Sequence, residues 1–241
     1  IGTTYEQYDD FYFSPSISSF IETVDTSSTA SAAKKKQDGS YFDTAFSYGL
    51  TYDKRNQIFQ PTDGFRSVFK QTLPIISDDY AIIHSYDFNT YHEFSKSMVG
   101  SIGFSTKTVN SVSGDDVRVS KRVYIPNNKL RGFTSGRVGP KEDGAYIGGN
   151  YYTTLNFATT IPTVLKDFQD TDFKLFYDVA NIWGVDYSSA IDNSNNIRSS
   201  VGVSVDWYTV IGPLNFSLSQ PITKKSTDET ETFRFQLGTS F

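Results

Sequence analysis

Apolar and polar side chains alternate with a period of two along most of this chain, and this pattern limits the possible folds more than any other feature. In the range 41–53, Phe46, Tyr48 and Leu50 share one face, whereas Asp43 lies on the other. Such alternation is typical of strands with one apolar and one polar face. It predicts a single all-β domain of about ten antiparallel strands. The predicted strands cover 1–8, 41–53, 65–73, 80–91, 98–108, 150–161, 173–183, 198–209, 214–219 and 230–241.

The apolar face of these strands can point toward a protein core or toward lipid. A soluble sandwich or barrel would bury that face, whereas a membrane barrel would turn it outward around a wet interior. Aromatic residues make up 16% of the chain but all hydrophobic residues only 37%, which suits a sheet with one oily and one wet face. Short turns at 61–64, 94–97 and 212–213 alternate with longer polar connections, and the chain ends on Phe241. We therefore predict a transmembrane antiparallel up-and-down β-barrel, with the soluble fold as the alternative.

Two long polar stretches interrupt the alternating pattern. The first, 9–39, is predicted to be a loop, in which 28–36 is compatible with either a short surface helix or a solvated segment. The second, 121–140, is rich in Gly, Asn and Pro and lies within a predicted loop of about 109–149. Long connections in otherwise regular β domains are often functional. The candidate site is therefore expected in the second stretch.

Composition excludes several kinds of site. There is no cysteine, so neither a disulfide nor a thiolate metal site is predicted. We find no metal-ligand set, phosphate loop or nucleotide motif, and therefore predict no cofactor. The net charge of -5 is spread along the chain without a basic stripe, which argues against a nucleic-acid partner. The chain also begins directly inside a strand-like pattern, which we interpret as part of a longer protein.

Histidine provides the only candidate base at neutral pH. His84 falls on the aromatic face of a predicted strand, and His92 follows the same strand. An outer-membrane barrel hydrolase is therefore a function hypothesis from a different class. No serine has the sequence context of a nucleophile, so we interpret both histidines as structural or interfacial and predict that the chain is not an enzyme.

Several short motifs occur in an ordered series. The most distinctive is Leu130-Arg131-Gly132-Phe133. The others are 52–66 (YDKRNQIFQPTDGFR), 139–140, 148–150, 176–178, 197–202, 207, 212–217 and 221. At these spacings they resemble the family of outer-membrane protein assembly factors, within the superfamily of surface antigens and POTRA-barrel proteins.

The resemblance implies a sixteen-stranded barrel in the bacterial outer membrane, preceded by periplasmic POTRA domains. This chain would be the C-terminal part of that barrel, from about the seventh strand onward. The implied function is a non-enzymatic insertase that folds and inserts other barrel proteins. A protein-translocating outer-membrane transporter of the same superfamily is the alternative. Implied partners are nascent outer-membrane proteins, outer-membrane lipid, accessory assembly lipoproteins and the protein's own POTRA domains.

In that family the loop with the central motif folds back into the barrel lumen. The resemblance implies that Arg131 contacts a carboxylate on the inner wall, and Asp178 is the matching partner on the polar face of its predicted strand. A guanidinium in a confined lumen needs such a partner with good geometry. Ala158 stands where the family often has Glu, and Ala180 stands where it has Gly. We therefore expect the anchor to rest on one carboxylate.

The last predicted strand resembles the β-signal that the assembly machinery recognises in its clients. The residues concerned are Phe233, Phe235, Leu237, Gly238 and Phe241. By the resemblance, this strand pairs weakly and its edge templates an incoming strand through backbone hydrogen bonds, with Gly238 as the weak point. The alternative interpretation is that a last strand must be amphipathic like the others.

Overall fold

The computed structural model describes residues 1–30, 32–96, 98–161, 170–209 and 212–237. These residues form one antiparallel sheet of eleven strands and a separate two-stranded hairpin. The main sheet contains β1 (Tyr5–Tyr8), β2 (Phe11–Val24), β3 (Gly39–Asp53), β4 (Gly64–Ser77), β5 (Ala81–Ser95), β6 (Met98–Ser111), β9 (Tyr151–Ile161), β10 (Thr171–Trp183), β11 (Arg198–Thr209), β12 (Gly212–Thr223) and β13 (Phe233–Leu237). The hairpin is β7 (Lys141–Glu142) with β8 (Ala145–Tyr146), and the helical segments are α1 (Ala32–Lys35) and a 3-10 turn at Val119–Lys121.

Strands that follow each other in the chain are neighbours in the sheet. The one departure is the pairing of β6 with β9, because the hairpin and the long connection 112–150 lie between them. Every pair in the sheet is antiparallel, because each connection leads directly to the neighbouring strand and so reverses the chain direction. The prediction of an all-β, up-and-down antiparallel fold is confirmed.

The predicted loop at 9–39 is wrong over Phe11–Val24, because these residues form β2. This strand pairs with β3 from Phe11 opposite Tyr52 to Val24 opposite Gly39. Its middle, residues 14–19, consists of four serines, one proline and one isoleucine, and serine and proline are more typical of loops. Strand neighbours override such weak local preferences. The main sheet therefore has eleven described strands, and the helical part of 28–36 is limited to α1.

The prediction that every second connection is long is wrong at 78–80, which lies at the same end of the sheet as the long connections 25–38, 112–150, 184–197 and 224–232. The short connection 78–80 is covered by the long connection 112–150 rather than by residues of its own. Lys121, in the long connection, donates a hydrogen bond to the backbone oxygen of Asp79. The other end of the sheet carries the connections 9–10 and 54–63.

The two faces of the sheet have the reverse of the polarity found in water-soluble proteins. On the outer face, Leu175 and Val203 are 48% and 43% exposed. On the inner face, Asp178, Ser200 and Ser204 are at most 2% exposed. Buried polar and exposed apolar faces are what a membrane barrel requires, since lipid covers the outside.

Apolar side chains pack together on the inner face of the sheet, where the long connection 112–150 contacts the strands. The buried members of this cluster are Ala81, Val109, Val117, Val123, Leu130, Phe133, Val138, Tyr152, Ala180 and Ile182. The long connection 112–150 therefore lies against the inner face of the sheet. No helix in the described residues has the length and apolar character needed to cross a membrane.

A charge on the outer face should destabilise the protein in lipid. Val203 lies near the middle of β11, with Leu175 and Leu218 beside it on the neighbouring strands. We expect Val203→Arg to lower the free energy of unfolding by about 2–4 kcal/mol in bilayers, because an arginine near the midplane must leave water. The measurement is urea unfolding of the full-length protein in lipid vesicles, with Val203→Leu as the control. Equal stability of the two variants would contradict the lipid-facing assignment.

Candidate functional site

Residues 121–140, here called the interior loop, lie against the polar inner face of the sheet. Leu130 and Phe133 are 3% and 1% exposed and belong to the apolar cluster described above. Gly132, between them and next to Arg131, has φ +88, a conformation that favours glycine. The loop is therefore packed on the wall rather than extended into solvent.

Arg131 and Asp178 are brought together with bidentate geometry. Arg131 Nε and Nη2 donate to the two carboxylate oxygens of Asp178 at 2.8 and 2.7 Å. The backbone nitrogen of Arg131 donates to the same carboxylate at 3.1 Å. Asp178 is completely buried. Charge-assisted forks of this kind are among the strongest side-chain hydrogen bonds.

Two further wall residues complete the surroundings of the pair, and sequence reasoning did not assign them a role. The ring of Phe176 lies 3.4 Å from Arg131 Cζ, a cation–π arrangement. Asn156 lies opposite Asp178 on β9, and its Nδ2 donates to Asp178 Oδ1 and to the Lys129 backbone oxygen, both at 2.8 Å. Their place on the inner face next to Asp178 was the available signal. Asn156 thus donates a hydrogen bond to Asp178 from a position on β9 two residues before Ala158, which stands where the family often has Glu.

Small residues on the wall allow the loop backbone to approach closely. A Cβ on Gly132 would come within 3.1 Å of Ser219 Cβ and 3.3 Å of Ser200 Cβ. Ser200 also donates a hydrogen bond to the Arg131 backbone oxygen. The motif glycine and the serines of β11 and β12 therefore set the depth at which Arg131 enters the lumen.

A second ionic cluster attaches the start of the interior loop to β2, β3 and the connection 78–80. Arg118 Nη2 lies 2.7 Å from Asp43 Oδ2 and 3.1 Å from Glu22 Oε2. Lys121 Nζ lies 2.8 Å from Asp43 Oδ1. Burial raises the pKa of Asp79 at the edge of this cluster, although Lys121 and Arg118 oppose the shift. No sequence motif predicted these contacts.

A third cluster lies at the other end of the interior loop. Arg198 Nε and Nη2 donate to the carboxylate of Asp228 at 2.9 and 3.1 Å, and both side chains are completely buried. Asn193 Oδ1 accepts a further bond from Arg198 at 3.1 Å. Asp228 also accepts the backbone N–H of Gly139 at 3.3 Å. This buried pair joins the end of the loop to the connection that leads into β13.

The terminal strand is shorter at its start than predicted. Its described part, β13, pairs with β12 from Phe233 opposite Leu218 to Leu237 opposite Leu214. Phe233, Phe235 and Leu237 are exposed on the outer face. The expected strand residues 230–232 do not belong to β13. The backbone of Thr230 and Glu231 pairs with the interior loop instead. Gly238 and Phe241 lie outside the described residues.

The two candidate histidines have different surroundings. His84 Nε2 lies 2.6 Å from Gln71 Nε2, and its ring packs near Phe69. His92 Nδ1 lies 3.6 Å from Asp63 Oδ1, and both side chains are largely exposed. In the part of the chain that is described, no group of three or more His, Cys, Asp or Glu residues is suited to hold a metal ion. The contacts of both histidines are those expected of strand-pairing and surface residues.

The fold and the site define a class: transmembrane antiparallel β-barrels whose interior is occupied by one of their own loops. The chain belongs to the Omp85 superfamily, since the Omp85 superfamily domain matches residues 1–241. The superfamily resemblance found in the sequence is confirmed, and the protein is placed in the bacterial outer membrane.

Relatives named outer membrane protein assembly factor BamA are similar to this chain. The protein from Neorickettsia risticii is 27% identical over 229 residues, which cover 92% of this chain and 31% of the relative. The protein from Neisseria meningitidis serogroup B is 31% identical over 141 residues, or 46% of this chain and 17% of the relative. The protein from Nitratidesulfovibrio vulgaris is 25% identical over 227 residues, 90% of this chain and 28% of the relative. The chain thus spans less than a third of the length of these curated relatives.

A solved structure supports the same fold. The crystal structure of BamA from Haemophilus ducreyi lacking POTRA domains 1-3 matches with a TM-score of 0.86 at 21% identity. The match covers 97% of this chain and 52% of that chain. At this level of identity the comparison bears on the architecture alone.

Proposed function

We propose that this chain is the C-terminal barrel part of a non-enzymatic insertase that folds β-barrel proteins and inserts them into the bacterial outer membrane. The names of the relatives support the proposal. The observation that carries it is the bidentate contact of Arg131 with Asp178, which fixes a loop inside the sheet. A simple porin would need an open channel at this place.

The proposed mechanism uses the edge of the terminal strand. β13 pairs with β12 on one side, and by the resemblance to the assembly factors its other side faces the seam at which the barrel opens. A strand edge presents backbone N–H and C=O groups that can pair with an extended client segment. The client then gains free energy by closing its hydrogen bonds and burying its apolar face in lipid. No nucleotide is needed for these steps.

Two of the proposed partners match surfaces of the described chain. Nascent outer-membrane proteins would meet the β13 edge, and outer-membrane lipid would cover the exposed apolar face that includes Leu175 and Val203. Accessory assembly lipoproteins and the protein's own POTRA domains belong to the proposal through the resemblance to the assembly factors. They would deliver clients to the β13 edge, whereas the backbone groups of that edge would pair with the client.

Reconstitution tests the proposal directly. The full-length protein is placed in lipid vesicles with its accessory proteins, and a urea-unfolded barrel protein is added. We expect folding of the client, measured as protease protection, to be about tenfold faster or more than in vesicles that carry a porin; tenfold corresponds to about 1.4 kcal/mol of barrier. Unchanged folding would contradict an insertase. Export of a soluble partner without client folding would favour the transporter instead.

A further inference from the structure

The interior loop and the segment before β13 form a short antiparallel backbone ladder. Phe133 and Thr230 are partners in an isolated antiparallel bridge. The hydrogen bonds run from Thr134 N to Glu229 O at 2.9 Å, from Glu231 N to Gly132 O at 3.1 Å and from Glu229 N to Arg137 O at 3.0 Å. The loop motif is therefore paired, strand to strand, with the chain that leads into the terminal strand.

Arg234 joins the same two segments through its side chain. It is a residue of β13, points to the inner face and is 9% exposed. Its guanidinium donates to the backbone oxygens of Asn127 and Phe133, both in the interior loop. It also donates to the carboxylate of Glu231, which supplies the opposite charge.

The chemistry of these acceptors requires arginine. A guanidinium is planar and has five N–H donors in a fixed fork, so it can serve two separate carbonyls and a carboxylate together. A glutamine amide has two donors and no charge, and a lysine ammonium has no fork. Neither can hold both loop carbonyls in this geometry.

The loop is thereby held to two different parts of the wall. Arg131 attaches it to β10 through Asp178, whereas Arg234 attaches it to β13. We propose that Arg234 is a positioning residue that fastens the interior loop to the terminal strand, so that seating of the loop and placement of the β13 edge are coupled. The consequence for clients rests on the proposed function: the edge is held at its Phe233 end, and exchange of strand partners begins toward Leu237.

Hydrogen exchange of the full-length protein in lipid tests the coupling. Arg234→Gln removes the charge and the fork, and Arg234→Lys keeps the charge alone. The matched control is Lys174→Gln, since Lys174 is an inward cation whose Nζ lies 2.6 Å from Asp206, another wall residue. We expect Arg234→Gln to speed exchange about tenfold in both 132–134 and 229–231, with little change in β10, because both sides of the ladder open together. Arg234→Lys should be intermediate, and the control should match the wild type.

Two results would overturn the proposal: exchange unchanged at both segments, or faster exchange at 229–231 with the loop still protected. Should Arg234→Gln fail to fold, Arg234→Lys is read by the same two criteria. Client folding is measured separately on the same samples. A wild-type protein that does not fold clients would refute the proposed function while leaving the exchange result to decide the role of Arg234.

Discussion

Replacing Asp178 with asparagine is expected to unseat the interior loop and to give one of the two largest losses of stability. The change leaves the Arg131 guanidinium next to a fully buried, uncharged side chain. Breaking a buried ion pair by removing one partner typically costs about 3–5 kcal/mol. Urea unfolding in lipid vesicles measures the loss, and protease cleavage within 121–140 reports whether the loop has left the lumen.

Asp172→Asn is the matched control for this prediction. Asp172 lies on the same strand and the same inner face, but its hydrogen bonds from Tyr208 and Gln60 are 3.3 Å long. We expect its replacement to cost less than about 1 kcal/mol, as for weak or partly exposed contacts. Equal losses for the two variants would show that Arg131 does not depend on Asp178.

Replacing Asp228 with alanine is expected to be comparably damaging. Arg198 would keep its charge in a completely buried position, with the side-chain oxygens of Asn181 and Asn193 and the backbone oxygen of Asn196 as its remaining acceptors. The expected loss is about 3–5 kcal/mol in the free energy of unfolding. The same change releases the N–H of Gly139, so the end of the interior loop should exchange hydrogen faster.

A double variant separates the buried charge from the loss of packing. Arg198→Met combined with Asp228→Leu removes both charges, and we expect it to recover most of the stability lost in Asp228→Ala, since apolar replacements of buried pairs are often nearly neutral. Glu229→Ala, next to Asp228 but exposed, is the control and should change stability by about 0.5 kcal/mol or less. A double variant no more stable than Asp228→Ala would refute the charge explanation.

Three attachments make the interior loop a fixed part of the barrel interior. Its start is held by the Arg118 and Lys121 cluster, its centre by Asp178, and its end by Asp228. The charged partners are distributed over β2, β3, the connection 78–80, β10 and the connection 224–232. Movement of the loop therefore requires the loss of several buried polar contacts at once, which suits a plug that supports the proposed client-accepting edge.

The sequence by itself determined most of the strands, the polarity of their faces and, through the resemblance of its motifs, the family. In β10 and β11, one face meets lipid and the other meets the polar interior, so every second residue is constrained and the register is visible in the sequence. The motif around Arg131 was readable through its resemblance to the assembly factors, which implied an inward loop and a carboxylate partner for the arginine.

Apart from Arg131 with Asp178, only the tertiary structure decided which residues meet across the lumen. β2 escaped prediction because its middle is rich in serine and contains a proline, whereas its strand is defined by the ladder with β3. The contacts of Arg118 with Asp43 and of Arg234 with Phe133 join residues far apart in the chain. Such contacts depend on how the loop closes over the sheet, and local periodicity carries no signal for the partner that a buried arginine will reach.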